Sequence, residues 1–117
     1  MDYLHNEVKV IHRDLNSENI LLDADDNVKI ADFGWSNWMP ELKKKRMTIC
    51  GKNEYKAPEI INKLPQTEKV DIWNIGVLIY ELFTNSTPFY NPNSVDKLDY
   101  NIRNVIFEFP GNIPQYA

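Results

Sequence analysis

The feature that most constrains this chain is the run from Asp71 to Thr84. There Ile72, Trp73, Ile75, Val77, Leu78, Ile79, Leu82 and Phe83 leave almost no polar stripe. The run is predicted to be a helix, with Asp71 capping its first amides. A helix apolar on nearly every side belongs at the centre of a domain. The segment is too short to span a bilayer and carries Asn74 and Glu81, so a membrane span is not expected. In a chain of 117 residues such a centre leaves room for one domain, 1–117, and no second core.

The other elements are expected to wrap around it. Ala57-Pro58-Glu59-Ile60-Ile61 starts a short helix, with Pro58 near the first helical position, where its missing N–H costs nothing. Ser94 to about Asn104 is predicted as an amphipathic helix with Val95, Leu98 and Ile102 on one face. Ile20-Leu21-Leu22 and Val28-Lys29-Ile30 flank the turn-rich residues Asp23 to Asn27 and are predicted to pair as a hairpin. Val8 to Ile11 is a short apolar run, and Tyr3-Leu4-His5 reads as the tail of a helix. Residues 32–56 show no sustained period and are expected to form a long loop, of a length that is usually functional. The fold class is therefore mainly α with a small β-hairpin.

A net charge of −4 argues against a nucleic-acid or anionic-membrane partner, since both are held by summed positive potential. The local exception, Lys43-Lys44-Lys45-Arg46, reads first as a solvated stretch of loop. A nuclear-import patch and a basic lead-in to Thr48 are the alternatives. The single cysteine, Cys50, cannot form an internal disulfide and is expected to be an ordinary loop thiol. No signal peptide is visible at the start, which makes the cytosol or nucleus the expected location.

Three polar residues fall where chemistry could be built. Asp14 and Asn19 lie five apart on one loop, and Asp32 follows the hairpin whose folding should bring its two ends together. Two carboxylates and an amide oxygen at one edge suit magnesium, which prefers few protein ligands plus phosphate oxygens. Phosphoryl transfer asks for charge neutralisation and an oriented hydroxyl rather than covalent chemistry. Asp14 could orient the hydroxyl while Asn19 and Asp32 hold the metal. Asp23, Asp25 and Asn27 imitate the start of a calcium loop, but Val28 and Gly34 stand where that loop needs glycine and glutamate, so a hairpin turn is expected.

The ordered set His12-Arg13-Asp14-Leu15-Asn16-Ser17-Glu18-Asn19, Asp32-Phe33-Gly34 and Ala57-Pro58-Glu59 resembles the catalytic loop, metal loop and activation-segment end of eukaryotic protein kinases. Asp71 to Val77, followed by Thr87-Pro88-Phe89, resembles the central helix of the same fold and its exit. Ala31 to Ser36, Thr48-Ile49-Cys50-Gly51 and the tail Ile102 to Pro110 are similar to Aurora-type serine/threonine kinases. The resemblance implies the C-terminal lobe of a protein-kinase fold, transferring the terminal phosphoryl group of ATP, with Mg2+, to serine or threonine of protein substrates. It makes Asp14 the proton acceptor, places Glu18, Asn19 and Asp32 at the ATP site, and makes Asn19 and Asp32 the metal ligands. It pairs Arg13 with a phosphate on Thr48, an activation phosphosite, and allows a regulatory protein at the activation segment. It gives Asp71 and Glu59 supporting roles, Asp71 by accepting backbone hydrogen bonds from the catalytic loop.

The chain also departs from the pattern. By the resemblance it is expected to be truncated at both ends, without the Gly-rich loop, strand lysine and partner glutamate that would grip ATP, and so weak or inactive alone. The arginine expected to pair with a buried Glu59 would lie beyond Ala117. Asn16 and Ser17 stand where lysine and proline are usual, and Lys52 stands in place of threonine. Lys52 is expected to replace the lost charge from the opposite side. The rival reading is a non-catalytic, pseudokinase-like module that binds substrates or regulators in the groove near Tyr90 to Asn104.

Overall fold

A computed structural model describes residues 1–38 and 51–111 of the chain. The basic run 43–46, Thr48 and Cys50 lie outside the described residues.

The long helix runs from Lys69 to Thr84. It begins two residues before Asp71, which sits inside the first turn and is fully buried rather than capping it; Glu68 occupies the cap position with no side-chain cap bond. Its C-terminal end is closed by Asn85 in the left-handed region (φ 57°), whose N–H donates to the Glu81 carbonyl. Asparagine tolerates that conformation better than most residues.

One side of this helix builds the core. Val77 packs with Tyr55, Phe89, Leu98 and Ile102, while Val70 packs with Ala57 and Ile60. Trp73 touches both clusters and stacks on Phe89 with ring centroids 5.4 Å apart. The opposite side is open. Ile72, Ile79, Leu82 and Phe83 are half or more exposed, Leu82 by 70%. The expected all-round burial is therefore corrected: the described elements cover one face of the helix only. Beside that face a cavity of about 460 Å³ is lined by Trp73, Val77, Tyr80, Phe89, Phe107 and Phe109. The Tyr80 hydroxyl donates to the carbonyl of Glu108, between Phe107 and Phe109, at 2.7 Å.

The short helix spans Pro58–Ile61, with proline in its first turn. The third spans Val95–Asn104, and the Ser94 hydroxyl caps it by accepting from the Lys97 N–H at 3.2 Å. Leu98 and Ile102 are buried as their spacing requires, whereas Val95, one turn earlier, is 63% exposed. At the start of the chain Tyr3–Glu7 makes a single wide helical turn.

Among the described residues there are also two small antiparallel sheets. Strands β2 (Ile20–Leu22) and β3 (Val28–Ile30) form the hairpin, with Ile20 opposite Ile30, Leu21 opposite Lys29 and Leu22 opposite Val28. Asp23 closes the turn by accepting from the N–H groups of Asp25 and Asn27 and from the Asn27 amide. The Asn27 N–H, above all, lowers the Asp23 pKa. Strand β1 (Val10–Ile11) pairs with β4 (Asn37–Trp38), so the stretch read as a loop contains a strand. No helix among the described residues is long and apolar enough to cross a membrane.

Candidate active site

The loop from His12 to Asn19 is held from below by Asp71. One Asp71 oxygen accepts from the Arg13 N–H at 2.7 Å; the other accepts from the His12 N–H at 2.9 Å and faces His5 Nε2 at 2.7 Å. Arg13 sits in the left-handed region (φ 72°). That conformation costs a side-chain-bearing residue roughly 1–2 kcal/mol, and it persists where neighbours over-determine it. The paired N–H bonds to a buried carboxylate are such a constraint.

His12 links the loop to the end of the hairpin. Its Nδ1 faces the Asp14 N–H at 3.3 Å, and its Nε2 lies 2.9 Å from the Ala31 carbonyl. Nδ1 must accept from the amide, so the proton sits on Nε2 and is donated to Ala31. The Ala31 N–H in turn donates to the Asn19 carbonyl at 2.9 Å. Asn19 and Ala31 are thereby neighbours, and Asp32 emerges beside them. Asp32 is itself left-handed (φ 56°), and its Oδ1 accepts from the Gly34 N–H at 3.1 Å.

The Asp14 carboxylate is fixed in orientation by three donors. Asn19 Nδ2 reaches Oδ2 at 3.2 Å, while Asn16 Nδ2 and the Lys52 N–H reach Oδ1 at 3.2 and 3.3 Å. The Asn19 and Asn16 amides also donate to the Asp14 carbonyl, at 2.8 and 3.0 Å. Asn16 is buried, and its Oδ1 accepts from the Glu18 N–H, so its whole amide is used inside the loop.

The approach of Lys52 depends on Gly51, whose φ is +83°. A Cβ there would stand 3.2 Å from both the Arg13 carbonyl and Asp14 Oδ1. The segment that follows is clamped to the long helix and to the turn after it. The Tyr55 hydroxyl bonds Glu81, the Asn74 amide donates to the Tyr55 carbonyl at 2.6 Å, and the Thr87 hydroxyl donates to Glu54 at 2.8 Å. Burial, and then the bond to Glu81, push the Tyr55 pKa up to about 12. Lys52 Nζ lies 2.7 Å from Glu18 Oε1, and that bond raises the lysine pKa.

The donor set suits one hard cation shared with a ligand. Asn19 turns its nitrogen to Asp14, which leaves Oδ1 without a hydrogen bond among the described residues; Asp32 Oδ2 is likewise uncommitted. An amide oxygen and a carboxylate match magnesium's preference for few protein ligands plus phosphate oxygens. Among the described residues no group of three His, Cys, Asp or Glu side chains could form an all-protein cage.

Glu59 is half-buried rather than buried, with no ion pair among the described residues, so its charge meets solvent. The sequence gives no sign of the left-handed conformations at Arg13 and Asp32, nor of the bonds from Glu18 to Lys52 and from Tyr55 to Glu81. The one available signal was the unusual pair Asn16 and Lys52.

The model of the protein kinase domain family matches residues 1–115. The chain is 46% identical to Aurora kinase C of Mus musculus over 117 residues, all of this chain and 41% of that protein. It is 43% identical to cAMP-dependent protein kinase type 3 of Saccharomyces cerevisiae over 110 residues, 94% of this chain and 26% of that protein. With the Aurora kinase of Schizosaccharomyces pombe the identity is 40% over 117 residues, all of this chain and 32% of that protein. The chain spans less than half the length of these relatives. It belongs to the protein kinase family, and over its whole length it resembles the Aurora serine/threonine kinases.

Proposed function

We propose that the protein carrying this chain transfers the terminal phosphoryl group of ATP to serine or threonine hydroxyls of protein substrates. The observation that supports this most is the held carboxylate of Asp14. Three donors fix its orientation on the same short loop that supplies Asn19, one backbone bond away from the segment that supplies Asp32.

Asp14 orients the acceptor hydroxyl and takes its proton as the oxygen bonds to phosphorus and the bond to the nucleotide breaks. Asn19 Oδ1 and Asp32 would hold Mg2+, which when bound neutralises charge on the phosphates. Glu18 lies on the nucleotide side of the same loop. Arg13 would receive a phosphate on Thr48, and Asp71 holds the turn that presents Arg13 and Asp14. Glu59 supports the end of the activation segment, where a regulatory protein could dock. A cytosolic or nuclear setting suits protein substrates of this kind.

The test is transfer of labelled phosphate from magnesium-ATP to a serine- or threonine-bearing protein by the intact protein. A base in this role contributes roughly 10²–10⁴-fold, so Asp14→Asn should reduce transfer by about that factor while nucleotide binding persists. Binding of an acceptor protein without any transfer would instead favour the non-catalytic module.

A further inference from the structure

Asp14 and Glu18 share one loop, Asp32 follows the Ala31 amide bonded to that loop's Asn19 carbonyl, and a bound polyphosphate would add negative charge to these carboxylates. Beside Asp14 the loop places a neutral amide rather than a cation, since Asn16 is used up inside the loop.

Lys52 supplies a cation from the other side. Its own N–H donates to Asp14 Oδ1, so its stem starts beside the reacting position. Its ammonium rests 2.7 Å from Glu18, where the lysine side chain is 40% exposed and that of Glu18 74% exposed. An ion pair this open to water is screened and weak, hence easily exchanged for another anion. The carbon stem is long and flexible, so the same ammonium can leave Glu18 without moving the backbone.

We propose that Lys52 is a phosphoryl-binding residue that rests on Glu18 and transfers to the terminal phosphoryl group of bound ATP. The proposal rests on the phosphotransfer reading above. A cation that serves the terminal group must distinguish ATP from ADP, which lacks that group.

The experiment is calorimetric titration of the intact protein with magnesium-ATP and, separately, magnesium-ADP, for the natural sequence, Lys52→Met and Lys52→Arg. Lys52→Met should weaken ATP binding by about tenfold or more, the usual worth of a bond to a charged group, and change ADP binding by less than about twofold. Lys52→Arg, which keeps the charge, should restore most of the difference. Unchanged ADP binding also shows that the variant is folded. Equal weakening of both nucleotides, or of neither, overturns the role of Lys52 and leaves the phosphotransfer reading standing. Failure of the natural protein to bind either nucleotide overturns both.

Discussion

The two faces of the helix Lys69–Thr84 are built on opposite terms. Toward the loop it presents Asp71 and Asn74, both buried and both bonded to backbone of segments that carry site residues. On the far side it presents Ile72, Ile79, Leu82 and Phe83, half or more exposed. The first face spends buried polar groups on fixing geometry. The second is apolar surface that contributes little to the described core. Hydrophobicity locates this helix as a scaffold, but its polar exceptions identify the side that faces the proposed site.

The sharpest way to break this comparison is to remove Asp71. Asp71→Ala leaves the His12 and Arg13 amides buried without their acceptor, and should cost about 3–5 kcal/mol in denaturant unfolding. A loss under about 1 kcal/mol would mean that the loop is held by something else. A smaller effect is expected at Tyr55, where the clamp to Glu81 holds the segment leading from Lys52. Tyr55→Phe should cost about 1 kcal/mol near neutral pH, the typical net worth of one hydrogen bond. The folded-state pKa of Tyr55, about 12, is raised above its ordinary value of 10.0. Its share of stability is therefore complete below pH 10 and is lost as pH rises through 12. Thermal unfolding followed across that window should show the phenylalanine variant losing less than the natural protein. The contribution of Lys52, whose pKa its bond to Glu18 also raises, is lost in the alkaline range in both proteins alike. On the far face, Leu82→Ser should change stability by no more than about 0.5 kcal/mol, as exposed substitutions usually do. A loss above about 2 kcal/mol would show that another surface covers that face and would erase the contrast.

Much of the fold could be read from local chemistry. The hairpin strands fall where the Asp23 to Asn27 turn cluster separates Ile20-Leu21-Leu22 from Val28-Lys29-Ile30, and Pro58 marks the start of the short helix. The Ser94 cap and the Leu98 and Ile102 spacing mark the third. What stayed hidden depends on distant partners. Strands β1 and β4 are two residues each, too short to carry a period. Local pattern gives Asp71 only the context of a cap; its commitment to loop amides 58 and 59 residues away was legible through the kinase resemblance and not through spacing. The exposure of Leu82 was illegible because apolarity measures what a side chain prefers, not what is near enough to cover it.

At the site, the contact between Asp14 and Asn19 was readable from five-residue spacing on one loop. The left-handed turns at Arg13 and Asp32 were not, since neither residue is the glycine that usually announces them. Lys52 stood out as an unusual residue expected to replace a lost charge; its bonds to Asp14 and Glu18 were not foreseen and come from how the chain returns to the loop after Gly51.

The most direct test of the proposed metal site uses Mn2+ in place of Mg2+, added with ATP to the isotopically labelled intact protein. Paramagnetic broadening is then mapped onto the backbone amides. It should centre on Asp14, Asn19, Asp32 and Gly34 and weaken sharply for Asp32→Asn. Broadening centred on the Asp23 to Asn27 turn, or unaltered by Asp32→Asn, would contradict the shared edge on which the proposed chemistry depends.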